Sequence, residues 1–321
     1  MNIIEKLLNT EELINQPPVL IDIGASGQLN KDWEKISKYS ICLAFDADER
    51  DFEYTKNKNK SFKKLHIVNS IVADFSKEKS DFYLTKYPHC SSLLEPNFDE
   101  LQNWAYGKFF EIQEIVQLKT TSLKDSLDDL GLDYVDWYKS DSQGIDLRLF
   151  KNLGEPIYSN VIVAEFEPGF INTYKNEDLI LEILEFISST NKFWLSDFIV
   201  KGSQRVSSNL FNELFGLGIK NKLAKHLVRK SPGWAEVIFF NNFNQDNITK
   251  RNLYMAWIIS TIKNQHGFAV EIAEKAKLKY NEVIFDELIN HSKNGMVKQI
   301  YSFKRFWNLV KSNFEQSVIV K

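Results

Sequence analysis

The sequence predicts an α/β protein: a doubly wound, seven-stranded, mostly parallel Rossmann-like sheet followed by a C-terminal helical appendage. Three features predict it. Short apolar runs alternate with segments of helical period, as when crossover helices join parallel strands. The first run ends in an acid and passes at once into a turn of small residues, Gly24-Ala25-Ser26-Gly27. From residue 244 onward strand-like alternation stops and the period becomes helical throughout.

Residues 2–15 carry apolar side chains at helical spacing and predict a short amphipathic helix. Val19–Ile23 reads as a buried strand, being short, branched and bounded by Pro17 and Pro18 before it and Gly24 after it. Ile41–Phe45 reads likewise and ends in Asp46, about twenty residues past Gly24, where a nucleotide-binding sheet keeps its ribose-binding acid. Further strands are predicted at Leu65–Val72, Tyr134–Ser140, Val161–Phe166, Phe193–Val200 and Ala235–Asn241. Helical patterns lie between them, at Ser122–Leu130, Ile145–Asn152 and Asp178–Ser188. A long insert, residues 201–233, separates the last two strands. The predicted domains are therefore 1–243, carrying the N-terminal helix and the insert, and 244–321, with three or four helices over 249–321.

The totals narrow the function. A chain of 321 residues with 43% hydrophobic content can bury a large core. Its net charge of −3 carries no polyanion-binding signature, so nucleic acid is not an expected partner. Cys42 and Cys90 make no disulfide framework and have no metal-ligand spacing, which favours a reducing compartment. The first residues do not read as a signal peptide, and no run is long enough to span a bilayer. A cytoplasmic protein with at most peripheral membrane contact is expected.

The glycine turn poses a choice of nucleotide. A dinucleotide site uses three glycines and seats a pyrophosphate on a helix N-terminus. Here there are two glycines, and Asp22 stands two residues before the first, where an anion would repel a pyrophosphate. An acid suits a cationic ligand, and S-adenosylmethionine carries an ammonium and a sulfonium without a phosphate. In that reading Asp22 balances the charge, the turn amides face the carboxylate and Asp46 takes the ribose. Ser70, Ile71 and Val72 line an adenine slot, and Trp33 either shields the cofactor or packs a helix. A nicotinamide-dependent reductase is the weaker enzymatic alternative, since its Tyr-x-x-x-Lys pair is matched only by Tyr54 and Lys58, before the third strand.

Four stretches in order carry a resemblance: Ile21-Asp22-Ile23-Gly24-Ala25-Ser26-Gly27, Phe45-Asp46-Ala47-Asp48, Ser91-Ser92-Leu93 and Lys139-Ser140-Asp141-Ser142-Gln143-Gly144-Ile145-Asp146. Together with Thr121-Ser122-Leu123 before the fourth strand, they resemble the FkbM family of methyltransferases over roughly residues 18–240. The last stretch is similar to the family's K-x-D-x-[EQ]-G-x-[ED] signature. The resemblance implies a class I methyltransferase fold with S-adenosylmethionine as cofactor. It also implies methyl transfer to a hydroxyl of a sugar, glycan or polysaccharide precursor. With Ser70 and Ile71 from the third strand's end, its motifs make Asp22, Gly24, Ala25, Ser26, Gly27, Asp46, Ala47, Ser70, Ile71 and Asp141 the expected cofactor-binding set. Two departures stand out: the second glycine comes one position early, and Gln143 stands where many members carry Glu, so that position holds rather than accepts a proton.

Methyl transfer to a hydroxyl needs alignment, desolvation and a base from the carboxyl ends of the strands. Asp141 is the first candidate, as a catalytic or cofactor-orienting carboxylate, unless it only accepts from the amides of the Gly144 turn. His89, in the Tyr-Pro-His-Cys loop, has a side chain suited to proton removal near neutrality. Glu165 and Glu167 end the fifth strand and could grip acceptor hydroxyls or, with Asp141, a divalent cation. Residues 211–230 combine an apolar stripe with clustered Lys and Arg, fitting a phosphorylated or lipid-linked acceptor, a membrane surface, or only a solvated helix face. The tail could dimerise the protein or wall the acceptor pocket. A catalytically silent module that binds the cofactor or a glycan is the alternative of a different class.

Overall fold

The computed structural model describes residues 2–25, 30–47, 61–244 and 248–301. Two units divide the chain: one runs from Pro17 to Asn244, and the other joins the N-terminal residues through Gln16 to the C-terminal helices. In chain order, helices α1 (Ile3–Leu8) and α2 (Glu11–Asn15) precede strands β1 (Val19–Ile23), β2 (Ile41–Phe45), β3 (Lys64–Val68), β4 (Ile71–Ala73) and β5 (Lys77–Thr85). Helix α3 (Phe98–Leu101), β6 (Ile112–Ser122), α4 (Leu123–Asp129), β7 (Trp137–Ser140), α5 (Asp146–Asn152), α6 (Glu155–Tyr158) and β8 (Val163–Phe166) follow. Then come α7 (Ile180–Thr190), β9 (Phe193–Ser203), α8 (Ser208–Phe215), α9 (Ile219–Leu227), β10 (Ser231–Asn241), α10 (Lys250–Ile262), α11 (His266–Tyr280) and α12 (Val283–Ile300).

The Pro17–Asn244 unit is α/β, with a seven-stranded, mostly parallel sheet in the order β3-β2-β1-β7-β8-β10-β9. Neighbours from β3 to β8 run parallel, and β10 lies antiparallel between β8 and β9. All five residues of β1 are buried, as in a parallel strand covered on both faces, and four of the five are apolar, Asp22 being the exception. All seven predicted strand positions are occupied, but the third divides. Leu65–Val72 was expected as one strand; the polar pair Asn69-Ser70 ends β3, and Ile71–Ala73 pairs instead in a second sheet of order β4-β6-β5. Helix α4 starts where expected because the Ser122 hydroxyl accepts from the Asp125 amide at 3.0 Å.

The expected insert is shorter than 201–233, since β9 continues to Ser203 and β10 begins at Ser231. The N-terminal boundary also moves. Residues 2–16, placed with the sheet in the 1–243 reading, form two helices packed in the helical unit. There Lys6 pairs with Glu287 at 2.7 Å, Lys250 bridges Glu12 and Glu282 at 2.9 and 2.8 Å, and the Arg251 Nε donates to the Gln16 carbonyl at 3.1 Å. Helix α10 is apolar around its whole circumference and buried from Leu253 to Ile262, so neighbouring helices must cover it. None of the described helices is long and apolar enough to cross a membrane.

Candidate functional site

From β1 the chain winds outward through β2 and β3, and from β7 it winds the other way through β8. The carboxyl ends of β1 and β7 therefore flank the point where the winding reverses, the crevice in which open α/β sheets take ligands. The strand ends are level: Ile23 lies beside Phe45 and Ser140, and Ser140 beside Phe166. The next residue of each strand is Gly24, Asp46, Asp141 and Glu167, so one carboxyl edge presents three acids around a glycine.

The backbone at this edge is pinned. The Asp141 amide donates to the Ile23 carbonyl at 3.1 Å, and the amides of Gly24 and Ala25 donate to the Phe45 carbonyl at 3.0 and 3.2 Å. Gly24 has φ +72°, and a Cβ on it would run into the Asp141 carbonyl oxygen. Only glycine fits that conformation and approach.

Two cavities open on this edge. The first is lined by Gly24, Asp46, Ala47, the run Ser70–Val72, Phe82, His89 and Asp141. The Ser70 hydroxyl is buried there with no hydrogen-bond partner among the described residues. The second cavity has an aromatic wall of Tyr87, Tyr106, Phe109, Phe110, Tyr174 and Trp234. Its rings interlock edge to face, with Tyr106 and Trp234 centroids 5.9 Å apart and Phe110 and Tyr174 5.7 Å apart. Glu167 lines this cavity, as do Lys225 and Lys230. Asp141, Gln143 and His89 line both.

Asp141 is held rather than loose. Gln143, at φ +57°, turns its Nε2 onto Asp141 Oδ1. The Tyr174 hydroxyl sits 2.8 Å from Gln143 Oε1, which fixes the amide with its nitrogen toward Asp141, and the Ser92 hydroxyl donates to the Gln143 carbonyl at 2.7 Å. Buried Asp146 staples the loop below: its carboxylate accepts from the Ser140 hydroxyl at 2.6 Å, the Ser142 amide at 2.9 Å and the Glu167 amide at 3.0 Å. Burial pushes the Asp141 carboxyl up to about 6, against the pull of Lys139. Burial and the carboxylates of Asp141, Glu236 and Asp146 push Glu167 up to about 9. Glu177, buried below the second cavity, rises to about 7 while its carboxylate accepts from the Tyr174 amide at 2.9 Å.

The sequence-derived residues separate into two rows. Gly24, Asp46, Ala47, Ser70, Ile71, His89 and Asp141 come together at the first cavity. Asp22 and Glu165 do not; they sit one step below the edge, on either side of Lys139 in register. Asp22 is fully buried and its Oδ1 receives the Lys139 ammonium at 2.7 Å. Burial alone would push that ammonium down, but Asp22, Asp141 and Glu165 hold it above its ordinary value. Asp22 thus serves as the counter-charge of Lys139, and Asp141 is the carboxylate that meets the cavity. The Glu165 carboxylate accepts from the Trp137 indole at 2.8 Å and lines neither cavity; Glu167, two residues on, reaches one.

Two expectations for the turn change in the same way. The Gly24 and Ala25 amides are spent on Phe45 rather than facing a ligand carboxylate. Ser26 and Gly27 lie outside the described residues, as do Tyr54 and Lys58. Trp33 packs edge to face on Trp137 at 5.8 Å and is fully buried, and Cys42 is core. Among the described residues no group of three or more His, Cys, Asp or Glu is set to hold a metal ion. Sequence reasoning missed Tyr174, Tyr106 and Trp234, which come together from distant segments with no shared motif. A scan of protein-family models and a search of curated proteins found no match to this chain, so the resemblance rests on the motifs themselves.

Proposed function

We propose that the chain is an S-adenosylmethionine-dependent O-methyltransferase of the FkbM kind, acting on a hydroxyl of a sugar, glycan or polysaccharide precursor. One observation carries the reading: a cleft at the winding reversal meets an aromatic cavity at a single held carboxylate, Asp141. A seven-stranded sheet closed by an antiparallel pair is also what the resemblance implies.

The residues present fit the cofactor. Asp46, just past β2, suits the paired ribose hydroxyls. Ile71, Val72 and Phe82 offer an apolar slot for a flat base, and the buried Ser70 hydroxyl offers its edge a hydrogen bond. With Asp22 neutralised by Lys139, Asp141 and Asp46 are the acids that line the cavity and can face a cationic ligand. The cofactor, when bound, supplies a methyl group on a positively charged sulfur.

The chain's own task is to orient the acceptor and remove its proton. Gln143 occupies Asp141 Oδ1, which leaves Oδ2 to accept the hydroxyl proton as the new oxygen–carbon bond forms. A carboxyl raised to about 6 is a stronger base than a free one and is still ionised at neutral pH. His89, on both cavities, is the second group able to take that proton. The aromatic wall suits the C–H faces of a pyranose ring, and the free cysteines, both buried, suit a reducing compartment such as the cytoplasm.

The test is a panel of saccharides and nucleotide sugars incubated with the full chain and S-adenosylmethionine. Demethylated cofactor and a methyl ether on one acceptor are expected. Cofactor that binds but stays unconsumed across the panel would replace the enzyme by a silent binding module.

A further inference from the structure

Helices α8 and α9 carry an apolar surface that the sheet unit does not use. On α9, Ile219, Leu223 and Leu227 recur every four residues and so share one face. They are 85%, 55% and 75% exposed, and Leu217 in the turn before them is 83% exposed. The packed side of the same helix is made by Asn221 and Ala224 instead. Asn221 donates to Asn212 on α8 at 3.0 Å and to the Gly216 carbonyl at 2.6 Å, while Gln204 holds the carbonyls of Lys225 and Val228 at 3.1 Å each. The pair is therefore anchored through polar contacts with its leucines outward, and α8 adds Leu210 and Leu214 to the exposed set.

Charge distinguishes this surface from an ordinary apolar patch. Across residues 208–230 the charged residues are Lys220, Lys222, Lys225, Arg229 and Lys230 against a single acid, Glu213. Lys220 and Lys222 flank the leucine stripe on its two sides. Long basic stems beside an outward apolar stripe let the aliphatic part sink while the ammonium stays at headgroup level. A protein partner of mixed charge gains nothing from five like charges, whereas an anionic bilayer complements both the charge and the leucines.

We propose that α8 and α9 dock the protein on an anionic lipid surface, with Leu217, Ile219, Leu223 and Leu227 entering the headgroup boundary and the basic side chains engaging lipid phosphates. Lys225 and Lys230 also line the aromatic cavity, so docking brings that cavity's rim to the headgroups. The docking itself does not depend on methyl transfer.

Flotation of the full chain with phosphatidylcholine vesicles, with and without phosphatidylserine, tests this. Binding only to the phosphatidylserine vesicles, weakened by salt, is expected. Two double variants, L223Q/L227Q and K220E/K222E, should each bind at least roughly tenfold more weakly. Their melting temperatures should match the parent, since these side chains are exposed. No binding to phosphatidylserine vesicles, or binding by both variants as tight as the parent's, overturns the proposal. So does a concentration-dependent dimer that these substitutions abolish, which would make the surface a contact between two copies.

Discussion

The two cavities that share Asp141 are built by opposite means. The first is backbone architecture: β1, β2 and β7 each deliver their next residue, and hydrogen bonds from Gly24, Ala25 and Asp141 lock those residues at a common level. The second is side-chain architecture, an aromatic wall drawn from residues 87–110, 174 and 234 with no strand in common. A ligand of constant shape suits the first kind of site and a variable one the second, because rings can be exchanged without moving a strand. The comparison separates what should be rigid and general from what should be specific.

The sharpest way to break it is at the residue common to both. Asp141→Asn should lower turnover by about a hundredfold or more, with a smaller change in cofactor affinity, in steady-state kinetics paired with binding. An equal loss in both would make Asp141 a cofactor ligand only. Next in size is the row beneath the edge. Lys139→Met strands the buried Asp22 charge and should cost about 3–5 kcal/mol in urea unfolding. Adding Asp22→Asn should restore most of that stability, and a single variant near wild-type would dissolve the charged row as a structural element.

The aromatic wall sharpens the contrast with a smaller effect. Tyr87, half-exposed, lies 5.3 Å from Phe109 and 5.1 Å from His89 by ring centroids and lines the second cavity but not the first. Tyr87→Ala should raise the acceptor KM several-fold, about 0.5–1.5 kcal/mol, and leave cofactor binding unchanged. Weaker cofactor binding would mean that the cavities are not separable.

Smallest is the pH effect. Glu167 and Glu177 are held protonated toward about 9 and about 7 in the fold, while in the unfolded chain they ionise at ordinary carboxylate pH. Unfolding then releases protons, so stability is greatest at acid pH and falls as pH rises through those values. Glu167→Gln should flatten that fall and raise Tm at pH about 8 by about 2–4 °C. Activity should move the opposite way, rising through pH about 6 as Asp141 ionises. A Tm profile unchanged by Glu167→Gln would place that carboxyl in solvent.

The contrast also explains what was legible in the sequence. The edge of the parallel sheet was readable because each strand is a short apolar run and its next residue lines the first cavity: Asp46 after Phe45, Asp141 after Ser140. Asp22 was misjudged because its partner, Lys139, lies 117 residues away on the adjacent strand, and only strand register reveals the pair. Glu165 and Glu167 have the same strand parity, so the sequence could not separate them; what does is that β8 ends at Phe166, which leaves Glu167 just past the edge and Glu165 one step below it. The β4-β6-β5 sheet was overlooked although Val116, Leu118 and Thr120 alternate with Gln117 and Lys119, because adjacent Ile115 and Val116 break the period. The aromatic wall had no local signal at all. Its rings meet only after β9 and β10 have paired, as Gly202 and Pro232 do in register.

Calorimetric titration of the full chain with S-adenosylmethionine, beside Asp46→Ala and with NAD as the competing ligand, tests the central claim most directly. One site per chain is expected, with affinity at least about tenfold weaker in Asp46→Ala, as fits the loss of a charge-assisted hydrogen bond, and no heat from NAD. Binding of NAD alone, or S-adenosylmethionine affinity indifferent to Asp46, would contradict it.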